Sequence, residues 1–357
     1  MSLIRDELNP EIQALKKWIG PLVEKSNRSP QQINALNESD CELIQLGSDQ
    51  VLAITIDSVS EEIAWGLYQD PYTMGWVAAM ASLSDLAAVA AQPIGLLWST
   101  LWRTKDSIEF KEKVAQGFRD AIQTTKTPLL GGDSGQSSNL VLSSVGVGIC
   151  ETHTALTRLQ IKAGDWIVHA GSIGVGSALA LRFLRGEPES DFLESLYRPR
   201  AQIDLIQKLK SIVHAAIDTS DGLLSSFDTL RRLNGCEMEL HFDPNHLDPQ
   251  ARQYCETRNL PLSLLWLAEH GDFQLLMAVS PENLIKAREI EPSLHVLARV
   301  IERSENSISA WVQHDQHPSR CDLAQARNLL HSLSENPETL RSAVSTLADY
   351  ARSHSWP

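Results

Sequence analysis

Hydrophobic and polar positions along the first part of the chain alternate between the spacings of strands and those of helices. Mostly apolar runs at residues 42–46 and 51–56, joined by Gly47-Ser48-Asp49-Gln50, predict a β-hairpin. The pattern then predicts a helix near 73–91, a strand near 94–102, a helix near 107–125 and a strand near 140–149. This order is typical of an α/β domain.

The same alternation starts again after Thr154. It predicts strands near 165–170, 214–217, 238–242, 273–279 and 294–300, with helices near 177–185, 201–210, 223–233 and 281–288. After about residue 306 the chain becomes polar, and residues 323–333 and 337–352 have amphipathic helical patterns. We therefore expect an α/β (α+β) fold with an N-terminal helix and linker at 1–34, domains at 35–153 and 154–305, and a helical C-terminal extension at 306–357.

Charge and cysteine content narrow the class of protein. The formal net charge of −14 argues against nucleic acid and anionic membranes as partners, because like charges repel. The five cysteines are scattered without metal-ligand spacing, so we expect reduced thiols and a cytoplasmic protein. The N-terminus lacks the apolar core of a signal peptide, and polar residues interrupt the longest apolar stretch, 77–98.

The segment 216–222, Ala-Ile-Asp-Thr-Ser-Asp-Gly, carries the clearest chemical signal. An apolar strand runs directly into two carboxylates, Asp218 and Asp221, and then into a glycine. Both carboxylates can direct oxygen ligands at one hard cation, and the glycine lets the backbone approach closely. In the alternative interpretation, Ser220 or Asp221 caps a helix that begins near Leu223. These residues alone leave both interpretations open.

Three further acids and one arginine have similar settings. Asp57 ends an apolar strand, where open α/β folds keep their sites, and Asp85 lies in an Ala-rich helix, where a buried acid needs a partner. The segment 129–135, Leu-Leu-Gly-Gly-Asp-Ser-Gly, combines a strand end with glycines and Asp133, which suits a phosphate, although a plain glycine-rich turn has the same composition. Arg158 is a candidate phosphate clamp or an isolated surface arginine.

Taken in order, these motifs resemble the thiamine-monophosphate kinase family of the aminoimidazole ribonucleotide synthetase superfamily. The resemblance covers about residues 35–280 and is carried by Met74-Gly75-Trp76, Ser84-Asp85-Leu86-Ala87-Ala88, Leu130-Gly131-Gly132-Asp133, Ala155-Leu156-Thr157-Arg158 and Ala163-Gly164-Asp165-Trp166-Ile167. It implies a two-domain fold whose N-terminal strands form a barrel across a homodimer. It further implies that ATP binds in a cleft between partners and domains, with several Mg²⁺ ions among the aspartates.

The resemblance also implies roles for individual residues. Metal ligands would be Asp40, Thr55, Asp57, Asp85, Asp133, Asp218 and Asp221. ATP contacts would come from Gly132, Asp133, Arg158 and Ser220, and catalytic roles would fall to Asp57, Asp133 and Asp221. The implied reaction converts thiamine monophosphate and ATP into thiamine diphosphate and ADP. Because the accepting phosphate is already anionic, Mg²⁺ must neutralise charge, and no strong general base is required.

This chain departs from the family pattern at the acceptor. Ala64 stands where the family has a substrate-contacting His, and Gly271 stands where it has the Glu of Gly-Gly-Glu-Asp. At the start of the first strand, Glu38-Ser39-Asp40 keeps only the second acid of the usual Gly-Asp-Asp. One alternative is therefore a related ATP-dependent enzyme acting on another small phosphorylated or carboxylated metabolite. Another is a non-catalytic dimeric scaffold, which the crowded, mutually repelling aspartates argue against.

Overall fold

Two β-sheets with helices packed against them make up the described part of the chain. The computed structural model describes residues 13–23, 28–188, 191–268, 270–303, 309–312, 319–323 and 337–356. Within these residues, no helix combines the length and the apolar character needed to cross a membrane. The described part of the predicted N-terminal helix forms a π-helical turn at Leu15–Ile19 and a 3₁₀ turn at Gly20–Leu22.

The first sheet has five strands in the order β1-β2-β5-β3-β4. All neighbours are antiparallel except β3 and β4, which are parallel. The strands are β1 (Glu42–Leu46), β2 (Gln50–Ser58), β3 (Gln92–Arg103), β4 (Leu129–Ser137) and β5 (Val141–Glu151). The predicted hairpin and strands are therefore present, but the glycine-rich segment 129–135 is an edge strand and not a turn. Glycine permits this because a Cβ on Gly132 would lie 2.0 Å from the carbonyl oxygen of Trp98 on β3.

Three helices accompany this sheet: α1 (Ser60–Trp65), α2 (Pro71–Ala88) and α3 (Ile108–Thr124). Asp70 caps α2 by accepting hydrogen bonds from the backbone N–H groups of Tyr72 and Thr73, both at 3.2 Å. A Cβ on Gly75 of α2 would lie 1.9 Å from a carbonyl oxygen of α3, so the two helices cross at a distance that only glycine allows. Nearly all of α2 is buried, and the helix contacts strands of both sheets.

The second sheet has seven strands in the order β12-β11-β8-β10-β6-β9-β7, in which β11 is Ala310–Val312 and β12 is Ser319–Arg320. Its main strands are β6 (Trp166–Ala170), β7 (Val213–Asp218), β8 (Cys236–His241), β9 (Leu275–Val279) and β10 (Leu294–Glu302). The accompanying helices are α4 (Val175–Leu184), α5 (Asp191–Leu196), α6 (Ile203–Leu209), α7 (Leu223–Asn234), α8 (Pro249–Thr257), α9 (Leu264–Leu267) and α10 (Pro281–Ile290). The apolar pattern did not predict α1, α5, α8 or α9, because short helices carry little periodic signal.

The C-terminal region is more closely integrated than its helical pattern predicted. Two short strands, β11 (Ala310–Val312) and β12 (Ser319–Arg320), extend the second sheet. The predicted helix at 323–333 lies outside the described residues from position 324 onward. Helix α11 (Pro337–Ser353) is present and is followed by Trp356, which is buried against Trp311 of β11 with ring centroids 5.8 Å apart. The extension therefore shares the core of the second sheet.

Candidate active site

Three aspartates from distant parts of the chain converge between the two sheets. Asp40 precedes β1, Asp85 lies near the end of α2, and Asp218 is the last residue of β7. One carboxylate oxygen from each lies within 4.8 Å of the other two. The backbone N–H of Asp218 also donates to Asp40 Oδ1 over 3.4 Å. We call Asp40, Asp85 and Asp218 the acid cluster.

Strand β2 brings two further predicted residues to the acid cluster. Thr55 Oγ1 donates a hydrogen bond to Asp85 Oδ2. Asp57 lies two residues further on the same face of β2, as strand alternation requires, and interacts with the Asp85 carboxyl group. Asp57 Oδ2 is buried without a hydrogen-bond donor.

Arg158 is part of this site and not an isolated surface arginine. Its Nε and Nη2 atoms donate to the two carboxylate oxygens of Asp40, at 3.2 and 2.9 Å. Its Nη1 atom donates to the side-chain oxygen of Asn37. A bidentate pair of this kind fixes the orientation of both side chains. Arg158 thereby holds Asp40 in place and presents a positive charge beside the acids.

The turn after β7 holds Asp218 from the other side. Ser220 Oγ donates to Asp218 Oδ1 over 2.9 Å, and Ser84 Oγ donates to Asp218 Oδ2. Helix α7 starts after Gly222, which is its N-cap residue, so neither Ser220 nor Asp221 occupies the N-cap position. Gly222 has φ +82°, a conformation that favours glycine. Its N–H donates to the Thr219 carbonyl oxygen over 3.0 Å and closes the turn.

The electrostatics of the acid cluster favour a cation. Burial, followed by the charge of Asp40, raises the pKa of Asp218 to about 8. Burial and the charges of Asp57, Asp218 and Asp40 raise the pKa of Asp85 well above its ordinary value. Crowded carboxylates resist simultaneous ionisation unless a positive charge lies between them. Oxygen-only ligands of this type suit a hard ion such as Mg²⁺, so these residues fit the ion that the family resemblance implies.

Of the remaining predicted site residues, Gly132 and Asp133 lie away from the acid cluster in the single chain, whereas Asp221 lies beside it. Gly132 and Asp133 are on β4, separated from Asp57 on β2 by three strand spacings, or about 14 Å. Asp133 is exposed. The register pairs it with Ser99, so alternation places Asp133 on the sheet face opposite to Asp57. The exposed Asp221 lies in the turn beside the acid cluster, where its charge contributes to raising the pKa of Asp57 and Asp218.

Ala64 and Gly271, the two residues that differ from the family pattern at the acceptor, have different surroundings. Ala64 is exposed on α1. Gly271 is buried, and its N–H donates to the Ser220 carbonyl oxygen over 2.9 Å. A Cβ at position 271 would lie 1.5 Å from the Thr219 carbonyl oxygen, so this backbone arrangement admits no side chain there.

Two glycine N–H groups at the start of α4 are hydrogen-bonded to a carboxylate of the protein itself. At the start of α4, the N–H groups of Gly174 and Gly176 donate to the two carboxylate oxygens of Asp272, at 2.8 and 2.7 Å. Burial raises the pKa of Asp272 to about 6. A carboxylate of the chain itself therefore occupies the anion position at the start of α4.

Sequence reasoning missed Glu62 on α1. Its Oε2 atom is buried without a hydrogen-bond donor. Burial, followed by the charges of Glu61, Asp221 and Asp57, raises the pKa of Glu62 to about 7. In the sequence, only its position five residues after Asp57 could have indicated a role for Glu62. Helix α1, which carries it, is too short to be predicted from periodicity.

The fold and the acid cluster define a two-domain α/β protein with a carboxylate site between its sheets, and the comparisons with known proteins agree with this class. The family model of the AIR synthase related protein N-terminal domain matches residues 38–150, and the model of the corresponding C-terminal domain matches residues 162–309. Thiamine-monophosphate kinase of Escherichia coli is 30% identical over 255 residues, covering 68% of this chain and 76% of the relative. The enzyme of Haemophilus influenzae is 28% identical over 251 residues, covering 68% and 74%. The chain belongs to the thiamine-monophosphate kinase family within the AIR synthase related proteins.

Solved structures give the same fold. AaThiL complexed with AMPPCP and TMP matches with a TM-score of 0.66 and 22% identity, over 84% of this chain and 93% of that one. The HypE-HypF complex, which contains a hydrogenase maturation protein, matches with a TM-score of 0.68 and 16% identity, over 85% and 98%. At these identities the likeness establishes the architecture that the two families share.

Proposed function

We propose that this protein is an ATP- and Mg²⁺-dependent kinase that converts thiamine monophosphate and ATP into thiamine diphosphate and ADP. The observation that carries the proposal is the convergence of Asp40, Asp85 and Asp218, with Arg158 paired to Asp40, in a chain of this family. Asp57, Thr55 and Asp221 would complete the set of oxygen ligands. Bound Mg²⁺ would neutralise the repulsion between the two phosphate groups as they meet.

The residues of the site have separate tasks in this proposal. Arg158 holds Asp40 in one orientation and faces the phosphates with a positive charge. Ser220 holds Asp218 through a hydrogen bond. In this proposal Ser220 also contacts the nucleotide. None of these side chains must remove a proton, because the phosphate of the acceptor is already ionised.

We further propose that the active form is a cytoplasmic homodimer. Ile56, Val145 and Leu97 form an apolar row across β2, β5 and β3, on the face away from the helices. Ile56 is 72% exposed and Leu97 is 39% exposed, and a face of this kind suits a second copy. Asp133 lies on the same face, so it and Gly132 would serve the ATP site only across such an interface.

Direct assay tests the reaction. Purified protein with ATP, Mg²⁺ and thiamine monophosphate should form thiamine diphosphate, measured by chromatography beside a competent kinase. Failure to form it, with the control active, would overturn the specific acceptor. Calorimetry with Mg²⁺ and a nonhydrolysable ATP analogue separates the remaining possibilities, since a non-catalytic scaffold predicts no Mg²⁺-dependent binding.

A second candidate is an ATP-dependent enzyme of the same superfamily with a different acceptor. It is favoured by Ala64, which offers only a methyl group, and by Gly271, where the turn admits no side chain. HypE structures share the fold, which is therefore compatible with more than one function. A screen of phosphorylated and carboxylated metabolites for ATP consumption would identify such an acceptor. Turnover with thiamine monophosphate and with none of the other metabolites in the screen would exclude this candidate.

A further inference from the structure

Helix α2, which carries one member of the acid cluster, is hydrogen-bonded to residues 194–207, which run from the end of α5 into α6. Trp76 Nε1 in α2 donates to the Pro199 carbonyl oxygen over 2.7 Å. Just past the end of α2, the Ala90 carbonyl oxygen accepts a hydrogen bond from Gln207 Nε2 at 2.9 Å. We call residues 194–207 the bridging segment, because it joins a helix of the first sheet to the helices of the second.

Glu194 of the bridging segment holds the loop that precedes α2. Its Oε1 atom accepts hydrogen bonds from the backbone N–H groups of Gln69 and Asp70, both at 2.8 Å. Glu194 is only 6% exposed, and hydrogen bonds in such a region of low dielectric are stronger than those in water. The loop is therefore attached to the second half of the molecule by its backbone.

Arg198 of the bridging segment holds the first turn of α2. Its Nη2 atom pairs with Asp70 Oδ2 at 3.3 Å, and its Nη1 atom donates to Thr73 Oγ1 over 2.8 Å. Its guanidinium carbon lies 4.9 Å from the centre of the Tyr72 ring. Asp70 is the N-cap residue of α2, so Arg198 contacts the cap and the first turn together.

The acid cluster depends on how the other end of α2 lies against the second sheet. Ser84 and Asp85 are near the end of α2, whereas Asp218 ends β7 of the second sheet. Ser84 Oγ donates to Asp218 Oδ2, and a carboxylate oxygen of Asp85 lies within 4.8 Å of one of Asp218. A shift of α2 along its axis by about 1.5 Å, the rise of one residue, is enough to break a hydrogen bond. Contacts that fix the start of this helix therefore also fix its end.

We propose that Glu194 and Arg198 are positioning residues, which hold α2 against the second sheet and thereby set the separation of Asp85 from Asp218. Thr73 and Asp85 are twelve positions apart in α2, or about 18 Å along its axis. Glu194 and Arg198 therefore act through the helix and supply no ligand to a cation. The inference rests on the proposed function only in its consequence for Mg²⁺, because that function assigns the ion to the acid cluster.

Hydrogen exchange of the full chain in a chelator, followed by mass spectrometry, tests the inference without metal or turnover. Glu194→Ala removes the acceptor of two backbone N–H groups, so residues 66–73 should exchange about tenfold faster than in the natural protein. The turn 218–222 should exchange about threefold faster, because Ser84 is no longer held in place against Asp218. Natural exchange in that turn would overturn the inference, even if residues 66–73 exchange faster.

Two further variants separate positioning from charge and from general loss of stability. Both N–H groups donate to a single oxygen of Glu194, so Glu194→Gln keeps an acceptor there and should restore natural exchange. A role for the charge itself predicts that Gln is as damaging as Ala. The matched control is Glu237→Ala, which removes a carboxylate that is 5% exposed and pairs with Arg231. It should leave exchange in both segments unchanged, and acceleration equal to that of Glu194→Ala would contradict the proposal.

Calorimetric titration with Mg²⁺ alone measures the consequence for the acid cluster. Glu194→Ala and Arg198→Ala should each weaken Mg²⁺ binding by about three- to tenfold, less than the loss of a group that contacts a metal ligand directly. Glu194→Gln and Glu237→Ala should stay within about twofold of the natural affinity. Natural affinity in both Glu194→Ala and Arg198→Ala would overturn the inference. Absence of Mg²⁺ binding by the natural protein would instead count against the proposed function, and the exchange experiment would still decide the positioning role.

Discussion

Two of the acids at this site are held by residues that are distant in the sequence. Asp85 receives its hydrogen bond from Thr55, thirty positions earlier in the chain. Asp40 is oriented by Arg158, which lies 118 positions later. The fold therefore brings these acids together. Burial strengthens the repulsion between their carboxylates, and a bound cation would relieve that repulsion.

Asp85→Asn tests the acid cluster directly. Loss of one carboxylate from a converged set should lower Mg²⁺ affinity by about 10- to 100-fold, and Mg²⁺-dependent binding of an ATP analogue should fall with it. Calorimetry measures both quantities. Asp204→Asn, which changes an exposed carboxylate on α6, is the control and should bind Mg²⁺ normally. Unaltered Mg²⁺ affinity in Asp85→Asn would contradict the assignment.

The raised pKa values predict how stability depends on pH when no metal is bound. The pKa of Asp218 rises from 3.8 to about 8 on folding, and that of Glu62 rises from 4.5 to about 7. In this window the folded state binds more protons than the unfolded state, so the free energy of unfolding should fall as pH rises from about 4 to about 8. Urea unfolding in a chelator across this range measures it.

Magnesium should reduce this loss of stability, because it balances the ionised carboxylates at the upper end of the range. The comparison is made at each pH with and without saturating Mg²⁺. Two results would count against the interpretation: stability in the chelator that rises toward pH 8, or an Mg²⁺ effect that is the same at both ends of the range.

At the scale of elements, the amphipathic pattern of the C-terminal segment predicted its helix but not the contacts that the helix makes. The amphipathic pattern predicted a helix at 337–352, and the structure has α11 at Pro337–Ser353. The pattern did not identify what its apolar face covers. Trp356 contacts both Tyr350 and Trp311, and Trp311 contacts Trp266 of α9 at 5.1 Å between ring centroids. The helix therefore closes one end of the second sheet.

Trp356→Ala should destabilise the protein by about 3–5 kcal/mol, because it removes a large side chain that is only 6% exposed. Denaturant unfolding in the presence of Mg²⁺ gives the free energy change. Trp18→Ala removes a tryptophan that is 67% exposed and serves as the control, with an expected change within about 0.5 kcal/mol. Similar values for both variants would mean that the extension does not stabilise the core.

At the scale of the whole molecule, the exposed apolar row on the first sheet predicts self-association. Leu97→Asp places a charge within that row and should shift the protein toward the 39.6 kDa single chain in light scattering after gel filtration. Ile108→Asp changes an apolar residue that is 76% exposed at the start of α3, outside the row, and should leave the mass unchanged. A natural protein that is monomeric at all concentrations would refute the dimer.

The order of most elements and the residue types of the site could be predicted from the amino-acid sequence alone. Strands β1 to β3 and β5 and helices α2 and α3 follow from periodicity, because alternation of period 2 or 3.6 is a local property. The family motifs also identified Asp40, Asp57, Asp85 and Asp218. The folded structure was needed to show that carboxylate oxygens of Asp40, Asp85 and Asp218 lie within 4.8 Å of one another. It was also needed to show that Asp133 faces away from Asp57. Distances between elements depend on how sheets and helices pack, and packing joins residues that no local pattern relates.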